Sequence, residues 1–300
     1  MIAVFGPTGI GKTDVAIALA QRLRSDGEDP VAVSADALQV YRGLEILTGA
    51  ATPQQHTRLE HRLVGFHPLT ETFSAGIYAT LAHAEIDGLL AVGRRPIVVG
   101  GTGLYLRAAL ADLELRPPPD PEVRARWQAE LDARGAPGLH AVLAERDPDA
   151  AASVAENDGH RIVRLLELLE SGFEPPPAPG APSQLWTAET RRPTLLAGLV
   201  MERDALARRI ESRVRKTVAA GAVDEVRRAA AAGASETARK ALGFEELLRG
   251  DVDAMVLATR QYARRQLTWM RKLSGVKIVD VTGRSAADVA AELHGMIRES

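Results

Sequence analysis

Short apolar runs recur along the chain, and each predicts a strand that is buried on both faces. Such runs lie at residues 1–5, 31–34, 96–99 and 195–200. Apolar runs of this kind are typical of parallel strands that are covered by helices. The segments 14–24 and 74–92 carry apolar residues at helical spacing. The pattern therefore predicts an α/β fold built on a parallel sheet.

The middle of the chain has a different composition. Proline clusters lie at 117–121 and 175–182, and the residues between them have a mostly helical pattern. Proline-rich sequences act as semi-rigid spacers and are poor core material. We therefore expect residues 1–116 to begin a core, residues 117–182 to form a mostly helical insertion, and residues 183–300 to complete the core with mostly helical structure.

The first strand leads directly into a glycine-rich loop that fits G-x-x-x-x-G-K-[ST] at every fixed position. The loop consists of Gly6, Pro7, Thr8, Gly9, Ile10, Gly11, Lys12 and Thr13. Between a strand and a helix, its amides and the helix dipole attract phosphate, and Lys12 adds a positive charge. Thr13 offers a hydroxyl to Mg²⁺. We predict a phosphate or diphosphate site rather than a plain glycine-rich turn, and whether ATP binds stays open.

Two further strands end in residues that suit a binding site. Asp36 follows the second strand, and Gly100-Gly101-Thr102-Gly103 follows the third. The carboxyl ends of parallel strands meet at one edge of the sheet, where open α/β folds bind their ligands. We therefore expect the three junctions to form one site. Two alternatives for Asp36 are the N-cap of a helix and a carboxylate that holds Mg²⁺.

Composition excludes several classes of protein. The 300 residues are 46% hydrophobic, with no cysteine and with seven histidines, none of them in an i,i+4 pair. Disulfides and thiolate zinc sites are therefore excluded, and a metal cluster is not expected. No apolar run is long enough for a membrane span, and no signal peptide is seen. We expect a cytoplasmic protein that acts as a monomer.

Any binding of nucleic acid must come from the distribution of charge, because the net charge is only −2. Residues 254–279 contain no acid and carry Arg260, Arg264, Arg265, Arg271, Lys272 and Lys277, interleaved with Tyr262 and Trp269. Such a stretch is either a solvated helix face or a surface that contacts RNA. The sequence leaves both interpretations open.

Many stretches match, in order, the motifs of one family. They are Gly6-Pro7-Thr8 with Gly11-Lys12-Thr13, Ser34-x-Asp36 with Gln39-Val40-Tyr41-x-Gly43, Ser74-Ala75-Gly76, Gly100-Gly101-Thr102-Gly103-Leu104-Tyr105, Asp120-Pro121-Glu122-Val123-Arg124, Asn157-Asp158 with Arg161, Arg164 and Glu167, Arg209-Ile210 with Arg213-Val214, Gly221 with Glu225-Val226, Ala241-Leu242-Gly243-Phe244-x-Glu246-Leu247, and Thr259-Arg260-x-Tyr262-x-Arg264-Arg265-Gln266-x-Thr268-Trp269. On these residues the chain resembles the tRNA dimethylallyltransferases. The matches span nearly the whole chain, so the resemblance is far more specific than the glycine-rich loop alone.

The resemblance implies a fold and a reaction. The fold is an α/β, P-loop NTPase-like parallel sheet core with an inserted, mostly helical domain. The family transfers a dimethylallyl group from dimethylallyl diphosphate to N6 of adenosine-37 in tRNA, giving N6-(dimethylallyl)adenosine. The glycine-rich loop would then hold the diphosphate, with Mg²⁺ on Thr13. Asp36 would be the general base, Thr8 would position the amine, and Arg213 would stabilise the leaving group.

The same resemblance implies contacts with the anticodon stem-loop of tRNA. The residues are Asp36, Ala37, Leu38, Gln39, Thr102, Arg124, His160, Arg161, Ile162, Val163, Arg164, Arg239, Lys240, Ala241, Leu242, Gly243 and Phe244. The target adenine cannot react while it is stacked, so we expect it to be flipped out of the loop into the core.

The chain departs from the family pattern at a few positions. Ala37 replaces the usual Ser, Glu60 a His, Glu156 a Pro and His160 a Gln, and the stretch Gly-Thr-Ala-Lys-Pro is Leu47-Thr48-Gly49-Ala50-Ala51, without its lysine. We expect these changes to alter contacts with diphosphate and RNA while Asp36, Arg213 and the loop are kept.

Three rival functions remain at this point. A small-molecule P-loop kinase would share the loop and Asp36 but would not need the later arginine motifs. A prenyltransferase for free AMP, ADP or ATP would share the chemistry. A non-enzymatic RNA-binding protein would have no use for a complete phosphate loop.

Overall fold

In a computed structural model the protein, described over residues 1–116, 120–173 and 184–299, forms two compact units. One unit is Met1–Leu115 with Gln184–Ser300, and the other is Arg116–Ser183. Of the proline clusters that the sequence predicts to be spacers, at 117–121 and 175–182, residues 117–119 and 175–182 lie outside the described residues, and Pro121 begins a helix. No helix in the described portion of the chain is long and apolar enough to cross a membrane.

The described residues of the first unit contain a parallel sheet with the strand order β3-β2-β4-β1-β5-β6. The strands are β1 (Ile2–Phe5), β2 (Pro30–Ala35), β3 (His61–Arg62), β4 (Arg95–Gly100), β5 (Leu195–Val200) and β6 (Lys277–Asp280). Every residue of β1 and β2 is buried, as their apolar sequences require. The α/β fold and the parallel strands predicted from the apolar runs are therefore confirmed.

The described residues form helices that include the two predicted from the periodicity of 14–24 and 74–92. They are α1 (Lys12–Ser25), α2 (Glu45–Thr48), α3 (Pro53–Arg58), α4 (Ala75–Ala91), α5 (Gly103–Leu110), α6 (Pro121–Arg146), α7 (Pro148–Ala152), α8 (Gly159–Glu170), α9 (Arg203–Ala219), α10 (Ala222–Ala231), α11 (Glu236–Arg239), α12 (Phe244–Leu248), α13 (Val252–Lys272) and α14 (Ala286–Glu299). Of these, α6, α7 and α8 belong to the second unit, hereafter the helical unit.

Three loops leave neighbouring strand ends, because β4 lies between β1 and β2. In the register, Gly100 at the end of β4 is paired with both Phe5 and Ala35. A Cβ atom on Gly100 would lie 2.1 Å from the carbonyl oxygen of Ala35, so only glycine permits this approach. The glycine-rich loop, Asp36 and Gly101 are thereby brought to one edge of the sheet.

Several short elements carry little signal in the sequence. Residues 44–73 include α2, α3 and β3, and α3 begins with a capping box formed by Thr52 and Gln55. Residues 277–280, predicted to lie in a helical region, form β6 at the edge of the sheet. Only Val279 of this strand is buried, so its sequence carries little of the apolar signal that identifies the inner strands.

The helical unit has its own core. The carboxylate of Asp120 accepts hydrogen bonds from the N–H groups of Glu122 and Val123 and so caps α6. A non-helical residue, Gly135, interrupts α6 at φ 70°. The buried core side chains come from all three helices and are Trp127, Leu139, Leu143, Ala150, Ala151, Ile162, Val163, Leu165 and Leu166.

Candidate active site

The glycine-rich loop leads from β1 into α1 and holds Lys12 beneath it. Gly9 and Gly11 have φ values of 82° and 99°, in the left-handed region that glycine adopts readily. The Lys12 Nζ donates hydrogen bonds to the carbonyl oxygens of Gly6 and Pro7 at 2.9 and 3.1 Å. Burial lowers the pKa of Lys12 to about 8. The loop therefore keeps a desolvated cation directly behind its backbone.

A cavity of about 190 Å³ opens above this loop. Its lining combines residues from the loop, from the end of β2 and from four later helices, α2, α3, α9 and α13: Thr8, Gly9, Gly11, Lys12, Thr13, Asp14, Asp36, Leu38, Gln39, Leu47, Thr48, Gly49, Gln55, Arg213, Val214, Thr217, Leu242, Met255, Thr259, Tyr262 and Gln266. The three residues assigned to catalysis from the sequence, Thr8, Asp36 and Arg213, all lie in this lining.

Asp36 does not cap a helix. Its Oδ1 accepts a hydrogen bond from the N–H of Leu38 at 3.0 Å, which closes a turn directly after β2. The next helix along the chain, α2, begins only at Glu45. The N-cap interpretation of Asp36 is therefore wrong, and the carboxylate is available at the cavity.

Arg213 reaches the cavity from α9. Its Nη2 donates a hydrogen bond to the carbonyl oxygen of Thr48 at 3.1 Å. Burial lowers the pKa of Arg213, and the nearby charge of Asp36 acts in the opposite direction. In the described portion of the chain, neither Arg213 nor Lys12 forms an ion pair with a carboxylate. Two desolvated cations next to phosphate-binding amides favour a multiply charged anion.

One face of α13 lines the cavity, although the sequence did not lead us to expect it. Met255, Thr259, Tyr262 and Gln266 lie at the spacing i, i+4, i+7, i+11, which places them on one stripe of the helix. The many arginines of this helix drew attention to RNA binding, and the stripe was missed. These four residues recur at helical spacing between the arginines, and that periodicity is the signal that could have revealed the stripe.

Gln266 connects two of the loops. Its Oε1 accepts a hydrogen bond from the N–H of Thr8, and its Nε2 donates one to the carbonyl oxygen of Gly101, each at 2.8 Å. The side chain is 4% exposed. A buried amide with both ends satisfied fixes the position of Thr8 relative to Gly101.

Thr102 connects the same region to Asp36. The N–H of Ala37 donates to the Thr102 Oγ1 at 3.3 Å, and the hydroxyl of Tyr262 lies 3.3 Å from that oxygen. Burial is the main cause that raises the pKa of Tyr262 to about 12, so this phenol stays protonated near neutral pH. Ala37, which replaces the usual serine, takes part through its backbone and needs no hydroxyl.

The residues that the sequence assigns to tRNA fall into two groups. Asp36 to Gln39, Thr102 and residues 239–244 belong to the first unit, and Arg124 and residues 160–164 belong to the helical unit. In the helical unit, Arg124 and Arg164 donate to the two carboxylate oxygens of Glu167 at 3.1 and 3.2 Å. His160 and Arg161 are exposed at the start of α8.

Four residues of these runs cannot offer their side chains to RNA. Ile162 and Val163 lie in the core of the helical unit, and Ala241 and Phe244 lie in the core of the first unit. Contact with RNA at these four positions therefore stays a prediction for their backbone atoms, because their side chains are packed in the cores of the two units. Leu242 lines the cavity, and Arg239 and Lys240 pair with Glu245 and Glu236.

Glu60 has a structural explanation. Its carboxylate pairs with Arg62 at 2.6 Å and with Arg94 at 2.8 Å. Arg94 also pairs with Asp29. Glutamate, in place of the usual histidine at this position, therefore completes a network of ion pairs on the surface.

The family model described as IPP transferase matches residues 39–273, more than half of the chain. A tRNA dimethylallyltransferase from Thermobifida fusca is 41% identical over 91% of this chain and 87% of that protein. A tRNA dimethylallyltransferase from Kineococcus radiotolerans is 42% identical over 91% of this chain and 88% of that protein.

Two solved structures have a similar fold. The full-length tRNA isopentenylpyrophosphate transferase of Bacillus halodurans matches with a TM-score of 0.70 and 31% identity, over 99% of this chain and 95% of that one. A eukaryotic dimethylallyltransferase acting on tRNA matches with a TM-score of 0.74 and 23% identity, over 99% of this chain and 77% of that one. The second likeness concerns the fold alone.

Proposed function

The chain belongs to the IPP transferase family, whose curated members are named tRNA dimethylallyltransferases, and we propose that the cavity described above is where it alkylates tRNA. The protein transfers a dimethylallyl group from dimethylallyl diphosphate to N6 of adenosine-37 in tRNA. The products are N6-(dimethylallyl)adenosine and diphosphate. The observation that carries this function is the single cavity that joins a phosphate loop, the cations of Lys12 and Arg213, and the carboxylate of Asp36.

The diphosphate end of the donor is held by the glycine-rich loop. Residues 6–13 contribute backbone amides, and Pro7, which has no N–H, contributes its carbonyl oxygen to Lys12. When the anion enters, Lys12 can exchange its two carbonyl acceptors for phosphate oxygens. That exchange gives the partly buried ammonium a counter-charge within ion-pair distance, which it otherwise lacks.

The acceptor nitrogen needs help from a base. The lone pair of an adenine amino group is delocalised into the ring, so N6 loses a proton as its bond to C1 of the dimethylallyl group forms. Asp36 takes this proton, and the electron pair of the broken C1–O bond leaves with the diphosphate. Arg213 and Lys12 stabilise the charge that grows on the leaving oxygen, and the Thr8 hydroxyl orients the amine.

The donor set of the cavity also fits Mg²⁺. No group of three or more His, Cys, Asp or Glu side chains that could hold a metal occurs within residues 1–116, 120–173 and 184–299. Mg²⁺ commonly uses one or two protein oxygens and completes its shell with substrate phosphates and water. The Thr13 hydroxyl would hold the ion, with Asp14 nearby in the same lining. When bound, the ion would neutralise some of the diphosphate charge.

The helical unit is proposed as an inserted domain that grips the anticodon stem. What supports this is the set of basic side chains on its surface, Arg124, Arg161 and Arg164, together with His160. In the first unit, Gln39, Thr102 and Leu242 would contact the flipped base and its neighbours. We assign this reaction to the cytoplasm, where tRNA is found, and to a monomer.

One assay tests the function and its nearest rival. The intact protein is incubated with Mg²⁺ and radiolabelled dimethylallyl diphosphate, with either unmodified tRNA or free AMP as acceptor. Label is expected on adenosine-37 of tRNA and not on AMP at concentrations where the tRNA is fully modified. Efficient transfer to AMP would refute the tRNA assignment, and transfer of phosphate from ATP to a small molecule would favour the kinase.

A further inference from the structure

Glu225 is a buried carboxylate that has no role in the chemistry described above. It lies in the first turn of α10 and is 5% exposed. Its Oε1 accepts a hydrogen bond from the N–H of Ile46 at 2.9 Å, and its Oε2 accepts one from the N–H of Leu47 at 2.7 Å. Burial raises the pKa of Glu225, and the two amides oppose that effect. A carboxylate is costly to bury, so these two backbone contacts account for its position.

The two amides belong to the first turn of α2, a helix of four residues. A helix this short has little stability of its own, because nucleation costs more than one turn of hydrogen bonds returns. Glu225 therefore acts as an N-terminal anchor from outside the helix, accepting from two donors that would otherwise have no intrahelical partner.

The other end of α2 touches Arg213. Thr48, the last residue of α2, accepts the hydrogen bond from the Arg213 Nη2 through its carbonyl oxygen. Gly49 follows at φ 60°, and a Cβ atom on it would lie 2.1 Å from the same Nη2. The guanidinium is thus packed against the C-terminal end of α2, and its position depends on where that end lies.

The contacts with Arg213 give a role to residues 47–51, the stretch that lacks the lysine of the family pattern. Ala50 is buried and cannot supply charge, whereas Thr48 and Gly49 act on Arg213 through backbone atoms alone. We propose that Glu225 is a positioning residue: by anchoring α2 it fixes Thr48 and Gly49 against Arg213, and so directs the guanidinium at the departing diphosphate. The inference rests on the proposed function for the reaction that Arg213 serves.

The test is a double-mutant cycle on the full-length protein. Glu225→Gln keeps the size of the side chain but removes the charge and one acceptor oxygen. We expect kcat for transfer to tRNA to fall about tenfold, the size of one hydrogen bond to a charged group, with KM for tRNA unchanged. In an Arg213→Ala background the same substitution should cost no more than about twofold, because its effect acts through the missing guanidinium.

Asp224→Asn is the matched control. Asp224 precedes Glu225 on α10, is exposed and pairs with Arg227, so the variant removes the same charge from the same turn without touching α2. Its kcat should equal that of the unmodified protein, and Glu225→Asp should recover less than the full rate. If the effects of Glu225→Gln and Arg213→Ala on kcat multiply in the double variant, the two residues act independently and the inference is wrong. An equal loss of kcat in Asp224→Asn would also overturn it.

A binding measurement separates this inference from the proposed function. If the protein without substitutions transfers no dimethylallyl group to tRNA, the proposed function is wrong. Titration calorimetry with inorganic diphosphate then still tests whether Glu225 acts through Arg213. Glu225→Gln should weaken diphosphate binding only when Arg213 is present. Equal weakening with and without Arg213 would show that Glu225 acts elsewhere.

Discussion

The cavity and the helical unit both carry basic side chains, but they hold them in opposite ways. In the described portion of the chain, Lys12 and Arg213 donate only to backbone carbonyl oxygens and have no ion-pair partner. In the helical unit, Arg124 and Arg164 share the carboxylate of Glu167, which is 1% exposed. One region keeps its cations unneutralised, and the other supplies a buried acid to fix them.

The difference agrees with what each region is proposed to bind. A partly buried cation without a counter-ion is costly, and the proposed diphosphate would remove that cost, so its binding energy would be concentrated on a few atoms. An arginine paired with a carboxylate has a fixed direction but a smaller net charge, so its contact with a phosphate backbone is weaker than that of an unpaired arginine. The unpaired cations of the cavity therefore suit a small, multiply charged anion, and on the helical unit the least neutralised arginines are the ones that we expect to meet phosphate.

The largest expected effect tests whether Asp36 is a base or only the counter-charge of the cavity. Asp36→Ala and Asp36→Asn should both lower turnover by about 10²–10⁴, the range for a lost general base. Asp36→Asn keeps an acceptor for the N–H of Leu38, so an equal loss in both variants would exclude a purely structural cause. Single-turnover transfer to tRNA gives the rate.

Binding measurements complete the test of Asp36. The affinity for tRNA should be retained, and diphosphate should bind at least as tightly as before, because a nearby negative charge is removed. If Mg²⁺-dependent binding collapses while tRNA binding persists, Asp36 is instead a ligand of the metal ion.

The next largest effect concerns Gln266, which holds the loop that carries Lys12. Gln266→Leu leaves the N–H of Thr8 and the carbonyl of Gly101 buried without partners, so kcat should fall by about 10- to 100-fold. Gln266→Glu keeps the acceptor for Thr8 and should fall less. Gln261→Leu, an exposed glutamine on the same helix, is the control and should leave kcat unchanged. A loss confined to KM for tRNA would assign Gln266 to RNA contact instead.

Gln266 also shows where prediction from the sequence ends. The loop at residues 6–13, Asp36 and Thr102 follow from the sequence because strand ends and glycine motifs are local signals, and parallel pairing brings them together. A contact between Thr8 and Gln266 joins residues that are far apart in the sequence, and no local pattern encodes it. The same is true of Glu225 and its contact with α2.

The predicted tRNA contacts show a second limit of the sequence. The family motifs name unbroken runs of residues, whereas a helix alternates between its buried and exposed faces. Val163 and Phe244 are buried for that reason, and their side chains serve the core. The short edge strand β6 was missed because a strand with one buried residue gives almost no periodic signal.

A smaller effect tests whether Lys12 binds diphosphate as a cation that has no ion-pair partner beforehand. Its pKa of about 8 means that the ammonium loses its proton as the pH rises through that value. Diphosphate binds the charged form, so its association constant should fall about tenfold between pH 7 and 9, the ratio of the two protonated fractions. Calorimetry in buffers of different ionisation enthalpy should also show proton uptake on binding near pH 8. Lys12→Ala should bind weakly with no such pH dependence, and a flat profile for the unmodified protein would mean that Lys12 is fully charged throughout.

The smallest expected effect tests the other side of the comparison, the surface of the helical unit. Arg161 is 77% exposed and meets Asp158 only at 3.4 Å, so its charge is neutralised less than that of Arg124. Arg161→Ala should lower the slope of log K for tRNA against log salt concentration by about one unit, the effect of one lost phosphate contact. Arg126→Ala, which removes an arginine paired with Glu170 and packed near Trp127, serves as the control and should leave the slope nearly unchanged.

Filter binding between low and physiological salt gives both slopes. Equal slopes for Arg161→Ala and the unmodified protein would mean that this surface does not meet the tRNA backbone, and the contrast between the two regions would then need another explanation.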